Sequence, residues 1–193
     1  MERLTATAPT ITVEPASDLV RRAASGDAIA FERLVTDRAD RAFRIARAIL
    51  GNDSDARDAT QDAFVSAWRQ LPRLRDPETF DAWLRRIVVN ACRAELRGRR
   101  RVREISLEGT RLDRPATEPP FPDRLGDTDL LARAFERLDA EKRTILVLHH
   151  LDHQPVAALA DALGVPVGTA KWRLSEARAA LQRALVAEGE SRR

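Results

Sequence analysis

Apolar residues recur at helical spacing through most of the chain, and no segment alternates apolar and polar residues as a half-buried β-strand does. One segment in the first half places apolar residues three and four positions apart, at Phe64, Ala67, Trp68 and Leu71. Residues 79–98 repeat this spacing, with an inward stripe predicted at Phe80, Trp83, Leu84, Ile87, Val88 and Ala91. The pattern predicts an all-α protein.

The helical periodicity stops near residue 104 and resumes near residue 129. Four prolines fall close together in between, at Pro115, Pro119, Pro120 and Pro122. Proline cannot donate a backbone hydrogen bond, so we expect a flexible linker here. The predicted organisation is two small helical domains joined by this linker: a flexible tail over 1–16, a domain over 17–103, the linker over 104–128, a domain over 129–187 and a tail over 188–193.

The second domain contains the most specific local pattern, a short helix, a turn and a longer helix. The short helix is indicated by Val156, Leu159, Ala160 and Leu163. Gly164 suits the sharp turn, and Pro166 suits the start of the next helix. This order is typical of a helix-turn-helix, whose second helix enters the major groove of DNA. An ordinary helical hairpin is the alternative, and the basic face of the second helix favours DNA.

Two neighbouring helices of the first domain carry opposite charge. Asp55, Asp58 and Asp62 are three and four residues apart, so they share one helix face, which alone could be ordinary solvated surface. The next helix has a basic edge with Asn90 at its middle, formed by Arg85, Arg86, Arg93, Arg97 and the arginines that follow. A basic helix beside aromatic residues is typical of binding to unpaired bases. We expect Trp68 and Trp83 themselves to lie mainly in the core.

Composition narrows the class of protein. Charged residues make up 33% of the chain and hydrophobic residues 44%, so wholesale disorder is not expected. Only Lys142 and Lys171 are lysines, and a GC-rich genome explains much of the arginine excess. The single Cys92 excludes an intrachain disulfide and a multi-cysteine zinc site. No apolar run reaches signal-peptide or membrane-span length, so we expect a cytoplasmic protein without membrane insertion.

Three runs in this order resemble the extracytoplasmic-function (ECF) sigma factors, a subfamily of the bacterial sigma-70 family. "DARDATQDAFVSAWRQLPRL" resembles the acidic sigma helix that ends in Gln-Glu-x-Phe and Ala-Trp. "FDAWLRRIVVNACRAELRGRRR" resembles the basic helix after it, and "ALADALGVPVGTAKWRLSEAR" resembles the C-terminal helix-turn-helix. The resemblance covers residues 19–103 and 129–185. Asp62 stands in place of the usual Glu, and Trp172 in place of a small polar residue.

The resemblance implies a promoter-directing subunit of RNA polymerase that is not an enzyme and needs no cofactor or metal. Its first domain would bind the polymerase core enzyme through Asp55, Asp58, Gln61, Asp62 and Phe64. The same domain would capture the opened −10 element of promoter DNA through Arg75, Arg86, Asn90, Arg93, Arg97 and Arg100. The helix-turn-helix would read the −35 element as duplex through Thr169, Lys171, Trp172, Arg173 and Arg178. Whether an anti-sigma protein holds the chain inactive stays open.

Two other functions fit parts of the sequence. A helix-turn-helix regulator that acts without polymerase would explain the second domain but would leave the acidic face and the Asn90 helix without a role. A metal enzyme is suggested by His149, His150 and His153, since two of these histidines are four residues apart and helical spacing of this kind can bind zinc. No HExxH order accompanies them, which disfavours the metal enzyme.

Overall fold

The structure is a computed structural model that describes residues 14–106 and 127–190, without the side chains of 100–106 and 127–129. Within these ranges all regular structure is helical, which confirms the all-α prediction. The N-terminal unit consists of α1 (Ala16–Ala24), α2 (Ala28–Leu50), α3 (Asp53–Gln70) and α4 (Phe80–Ser106). The C-terminal unit consists of α5 (Asp127–Glu136), α6 (Ala140–Leu146), α7 (Val156–Leu163) and α8 (Val167–Glu190). Most of the predicted linker lies outside the described residues.

Short polar residues and glycine set the ends of the long N-terminal helices. The Asp27 carboxylate caps α2 by accepting the backbone N–H groups of Ile29 and Ala30, both at 3.0 Å. Gly51 ends α2 in the left-handed region, with φ of 84°, and the Asn52 side chain caps α3. Because only two residues separate α2 from α3, the two helices pack against each other and fix the outward face of α3.

The core of the N-terminal unit forms where α2, α3 and α4 meet. Its most deeply buried members include Leu34, Ile49, Leu71, Val88 and Val89. Cys92 lies in the same core, and burial raises the pKa of its thiol to about 12. The Cys92 thiol is therefore a packing group with little thiolate character.

The observed helices differ from the sequence prediction at several ends. Helix α1 begins at Ala16 after Pro15, so Ser17 and Asp18 lie in its first turn and do not cap it. Helix α2 is one continuous element of 23 residues. Helix α4 continues through the arginine run to Ser106, past the predicted end at Gly98. One helical glycine costs only about 1 kcal/mol relative to alanine, which flanking residues with good helix propensity can offset.

The C-terminal helix continues beyond the predicted end of its domain. The sequence predicts a tail from residue 188, whereas Glu188 is 8% exposed and belongs to α8, which runs to Glu190. Its carboxylate pairs with Arg133 at 3.2 Å and with Arg137, so two cations of the α5 region hold the end of α8. The residues that form these ion pairs are 51 and 55 positions apart, and helical periodicity carries no information at such separation.

Among the described helices, none combines the length and the apolar character needed to cross a bilayer. The longest, α4, carries arginines along much of its length.

Candidate nucleic-acid and protein interfaces

The acidic face of α3 is exposed at three of the five predicted polymerase-binding positions. Asp58, Gln61 and Asp62 point to solvent at i, i+3 and i+4. Asp55 is part-buried and forms an ion pair with Arg99 of α4, so its charge is already partnered inside the unit. Phe64 is 9% exposed and packs in the core, on the buried side of α3. The surface available to a partner is therefore centred on Asp58, Gln61 and Asp62.

Two apolar residues extend this exposed stripe. Val65 is 41% exposed and Trp68 is 36% exposed, and both follow Asp58, Gln61 and Asp62 at helical spacing. The Trp68 ring packs against Phe31 of α2, with ring centroids 4.9 Å apart. The expectation that Trp68 is mainly a core residue is therefore wrong, because one side of the ring is left open to solvent. A fuller helical projection of α3 would have indicated this, since Trp68 follows Val65 by three residues.

The basic edge of α4 is mostly free. Arg86, Asn90 and Arg97 are exposed, and with Arg93 they lie at i, i+4, i+7 and i+11, so they follow one side of the helix. Arg75 is exposed in the loop between two short 3₁₀ turns, Leu71–Arg73 and Pro77–Thr79. The Arg100 side chain lies outside the described part of the chain. Four of the six predicted −10 residues are thus accessible, and three of these are arginines.

Arg93 differs from its neighbours because it faces the C-terminal unit. The pKa of Arg93 is lowered from the ordinary arginine value, and burial is the largest cause of the shift. Glu141 of α6 opposes this shift, whereas Arg173 of α8 adds to it. The Arg93 guanidinium therefore lies within electrostatic reach of charged side chains on α6 and α8.

Helices α7 and α8 form the predicted helix-turn-helix. Gly164 ends α7 with φ of 67°, and the Val165 N–H donates to the Ala160 carbonyl at 3.0 Å, which closes the turn. Pro166 directly precedes α8. The turn conformation is one that glycine adopts without strain, so the sequence prediction of a sharp turn at this position is physically well founded.

The start of α8 exposes only some of the predicted −35 residues. Lys171 is exposed and Trp172 is 65% exposed, without an aromatic neighbour among the described ring contacts. Thr169 is half-buried, and Arg178 lies 3.4 Å from His150, measured from Nε to Nε2. Arg173 is turned towards α6, where its Nη1 lies 3.6 Å from Glu141 Oε2. Lys171, Trp172 and Arg178 are the exposed residues of the predicted −35 set.

The histidines follow α6 in a single π-helical turn, Val147–Leu151. His149 and His150 lie in this turn with ring centroids 4.8 Å apart, and burial lowers the pKa of His150. His153 lies beyond the turn at φ of 51°, so the predicted pairing of His149 with His153 on one regular helix does not form. Over residues 14–106 and 127–190 no three His, Cys, Asp or Glu side chains are grouped to hold a metal ion.

The sequence prediction missed a contact between the two units. Asp152, next to the histidines, is buried and accepts hydrogen bonds from Arg41 of α2 and Arg85 of α4. Arg85 therefore does not join the free basic edge. Its partner is 67 residues away along the chain, and no local pattern signals a pairing at that distance.

Both units match known family models. Residues 34–102 match sigma-70 region 2, and residues 128–181 match sigma-70 region 4. The chain is 34% identical over 182 residues to the ECF RNA polymerase sigma factor SigE of Mycolicibacterium smegmatis, covering 88% of this chain and 69% of that protein. It is also 34% identical over 172 residues to the ECF RNA polymerase sigma factor SigM of Mycobacterium tuberculosis, covering 88% and 84%.

Solved structures give the same fold. CnrH, determined in complex with the cytosolic domain of CnrY, is 29% identical with a TM-score of 0.64, covering 89% of this chain and 97% of that one. The sigma factor RpoE from Bartonella quintana, determined in complex with the anti-sigma factor NepR, is 25% identical with a TM-score of 0.66, covering 80% and 96%.

Proposed function

The chain belongs to the sigma-70 family, within its ECF subfamily, and from this premise we propose how its surfaces direct RNA polymerase to promoters. It binds the polymerase core enzyme and directs promoter-specific initiation of transcription. The observation that carries the proposal is the presence of an exposed acidic face, an exposed basic helix edge and a helix-turn-helix in one chain. A regulator that acts without polymerase would need only the last of these.

The acidic stripe of α3 is the surface that binds the core enzyme. Asp58, Gln61 and Asp62 supply charge and hydrogen-bond acceptors, and Val65 and Trp68 supply apolar contact area beside them. Apolar and aromatic anchors next to complementary charges are the features that make a protein interface both strong and specific. Phe64 contributes through packing beneath the stripe.

Charge reversal on this stripe is expected to weaken binding without unfolding the protein. Asp58→Lys with Asp62→Lys replaces two carboxylates with cations, so the charges facing the partner are no longer complementary to it. We therefore expect the affinity for core enzyme to fall about tenfold or more. Both positions are exposed, so the free energy of unfolding should change by no more than about 0.5 kcal/mol. Titration of core enzyme with the labelled chain measures the first quantity, and urea unfolding measures the second.

Asp40→Lys is a matched control, because Asp40 is an exposed carboxylate on α2, outside the stripe. The control should bind core enzyme like the parent chain. Equal affinities for the double variant, the control and the parent would mean that the stripe is ordinary solvated surface with no part in binding core enzyme.

The basic edge of α4 captures the −10 element as single-stranded DNA. Arg86 and Arg97 are placed to neutralise phosphates, and Asn90 between them can both donate and accept hydrogen bonds on the edge of an unpaired base. Arg75 extends the cationic surface into the neighbouring loop. Taking a base out of the stack costs a few kcal/mol, least when the DNA is already melted, which suits a factor that acts as the duplex opens.

The start of α8 reads the −35 element in the major groove. Lys171 and Trp172 are the free side chains at this end, and Arg173 can reach the groove only after it leaves Glu141. Arginine can bind guanine at two points, which is worth about 1–3 kcal/mol of discrimination between bases. The Trp172 indole has one donor and a large apolar surface, so contact with a thymine methyl group or a sugar suits it.

Three substitutions separate these roles. Arg173→Ala should relax sequence preference at one or two base pairs, whereas Lys171→Ala should weaken binding evenly across sequences if the lysine meets phosphate. Trp172→Ser should shift the preferred sequence and keep binding, since the ring is 65% exposed and the fold depends little on it. Selection of promoters from a library randomised at the −35 element, using holoenzyme, measures all three effects. If every variant selects the parental sequences, α8 does not set the specificity.

Co-purification and transcription test the function as a whole. The full chain should co-purify with core enzyme and should enable run-off transcription from promoters of its own genome. A chain that binds promoter DNA but neither binds core enzyme nor supports initiation would be a helix-turn-helix regulator. The proposed factor performs no catalytic chemistry itself and works where polymerase and chromosome are, in the cytoplasm.

An inhibitory protein partner belongs to the proposal as well. CnrH was solved with the cytosolic domain of CnrY, and RpoE with the anti-sigma factor NepR. Both are similar to this chain over most of its length, and we propose that it too is bound by a protein of the anti-sigma class.

A further inference from the structure

Arg178 is the arginine of α8 that has no carboxylate partner among the described residues. The other two, Arg173 and Arg183, each pair with a glutamate, at N–O distances of 3.6 and 3.2 Å. Arg178 is exposed, and its Nε donates to Nε2 of His150 at 3.4 Å. The helix positions three and four residues away from it are all uncharged: Leu174, Ser175, Leu181 and Gln182. The Arg178 charge is therefore available to an anion from outside the protein.

His150 is positioned by the π-helical turn that precedes α7. The ring of His149 lies edge-on to His150, with ring centroids 4.8 Å apart. His149 is itself oriented by a hydrogen bond from its Nδ1 to the Gln154 carbonyl, at 2.9 Å. Because Nε2 of His150 accepts from Arg178, the His150 imidazole is neutral in this arrangement, with its proton on Nδ1.

The charged groups around His150 are basic or already paired. Burial is the largest of the causes that lower the pKa of His150, and His149, Arg178 and His153 lower it further. The nearest acid along the chain is Asp152, whose carboxylate is buried and bound by two arginines of the N-terminal unit. The surroundings of His150 therefore disfavour a proton on the ring, and an anion placed beside it would favour one.

His150 and Arg178 lie where a helix-turn-helix meets the DNA backbone. In such a motif the recognition helix places its first residues on base edges, and the helix before it crosses the backbone. His150 lies in the turn just before that helix, α7. Arg178 lies two helical turns, about 10 Å, beyond Lys171 on the exposed side of α8. The major groove is about 12 Å wide, so with Lys171 at the bases Arg178 reaches the rim, where the phosphates lie.

We propose that Arg178 and His150 together bind one phosphate of the DNA backbone beside the −35 element, and that His150 takes up a proton from solvent as the phosphate binds. The Arg178 N–H groups then donate to the phosphate oxygens instead of to His150. The protonated imidazole donates its Nε2–H to the same phosphate. The inference rests on the proposed function for the DNA that is bound, whereas the contact between His150 and Arg178 is a property of the protein alone.

Proton uptake makes binding at the −35 element depend on pH in a known direction. The pKa of His150 is below its ordinary value in the free chain, and an adjacent phosphate raises it. Between these two pKa values the complex holds one more proton than the free chain, so affinity rises by up to about tenfold for each unit that the pH falls. Above the pKa of the complex the ring is neutral in both states, and this dependence vanishes.

Binding of holoenzyme to a fluorescent −35 duplex, measured at about pH 8 and about pH 6, tests the proton uptake. The affinity that the parent gains on acidification should exceed the gain of His150→Gln by about three- to tenfold, a ratio in which the titration of core enzyme cancels. His150→Arg carries a fixed charge, so it should bind more tightly than the parent at the higher pH and should lose the extra gain.

His153→Asn is the matched control. His153 is exposed and has φ of 51°, a conformation that asparagine adopts readily, so this variant should keep the parental gain. Both His150 and Arg178 are exposed, so their substitution should cost little stability. An equal gain in the parent and in His150→Gln would overturn the proton uptake.

Neutral methylphosphonate groups, placed one at a time along the duplex, identify the phosphate that is bound. One replacement should lower the affinity of the parent on the order of fivefold at the lower pH and should abolish its extra gain on acidification. Arg178→Ala should be insensitive to the same replacement. If no position distinguishes Arg178→Ala from the parent, the phosphate site is wrong. Failure of the proposed function is seen separately, as a parent chain that neither binds core enzyme nor supports run-off transcription.

Histidine NMR of the full-length chain without DNA tests the contact by itself, because the chain has only three histidines. Arg178→Ala should raise the pKa of His150, since Arg178 is one of the groups that lower it. An unchanged pKa would mean that the two side chains do not meet. Millimolar inorganic phosphate at matched ionic strength should leave the His150 signals in place. A shift would assign the site to a free phosphate compound and overturn its assignment to the DNA backbone.

Discussion

Cutting the chain between α4 and α5 is expected to lower promoter-specific transcription by about 10²–10⁴-fold, although both helical units stay folded. Each unit carries one DNA surface, and the residues between Ser106 and Asp127 make binding of the second surface an intramolecular event. A tether of this length supplies an effective concentration that free fragments at micromolar concentration do not reach. The loss therefore arises from connectivity alone, with every contact residue still present.

A specific protease site inserted after Gly109 allows the same preparation to be tested before and after cleavage. The uncleaved chain is the matched control for the insertion itself. Run-off transcription is measured at several chain concentrations, because the loss should shrink as fragment concentration rises towards the effective concentration of the tether. Cleavage without any loss would mean that one unit suffices, and the two-surface mechanism would be wrong. Circular dichroism of the cleaved sample shows whether the helices persist.

Local chemistry made much of this fold predictable from the sequence. The caps at Asp27 and Asn52 and the turn at Gly164 each involve residues within about four positions of one another. The helix-turn-helix and the exposed stripe of α3 follow from the 3.6-residue period for the same reason. Where the prediction failed locally, at Trp68, the residue lies at the boundary between the buried and exposed sides of α3.

Contacts between distant segments were not predictable in this way. The pairing of Asp152 with Arg41 and Arg85 joins residues 111 and 67 positions apart, and that of Glu188 with Arg133 joins residues 55 positions apart. A chain with 33 basic and 30 acidic residues offers hundreds of possible ion pairs, and sequence spacing does not rank them. The same limit explains why the sequence predicts Arg85 on the basic edge of α4, since periodicity cannot distinguish a guanidinium facing solvent from one facing another unit.

Ile145→Ala is expected to unfold the C-terminal unit and leave the N-terminal unit intact. Ile145 is 1% exposed in α6, which packs on α8, and truncation of such a residue to alanine typically costs 2–5 kcal/mol. A core of about 60 residues rarely supplies more than about 3–5 kcal/mol of net stability, so the loss is comparable to the whole reserve of this unit. The −35 surface should then disappear, while the acidic stripe of α3 keeps its affinity for core enzyme.

Hydrogen exchange followed by mass spectrometry resolves the two units in the intact chain. Peptides from α6, α7 and α8 should lose protection in Ile145→Ala, and peptides from α2 and α3 should keep it. Ile145→Val, which typically costs 0.5–1.5 kcal/mol, should retain protection in both units and serves as the mild control. Leu34→Ala, at a 1%-exposed position of α2, should give the reverse pattern. If Ile145→Ala removes protection from all these helices together, the buried residues of the two units, which form one apolar cluster, act as a single cooperative core.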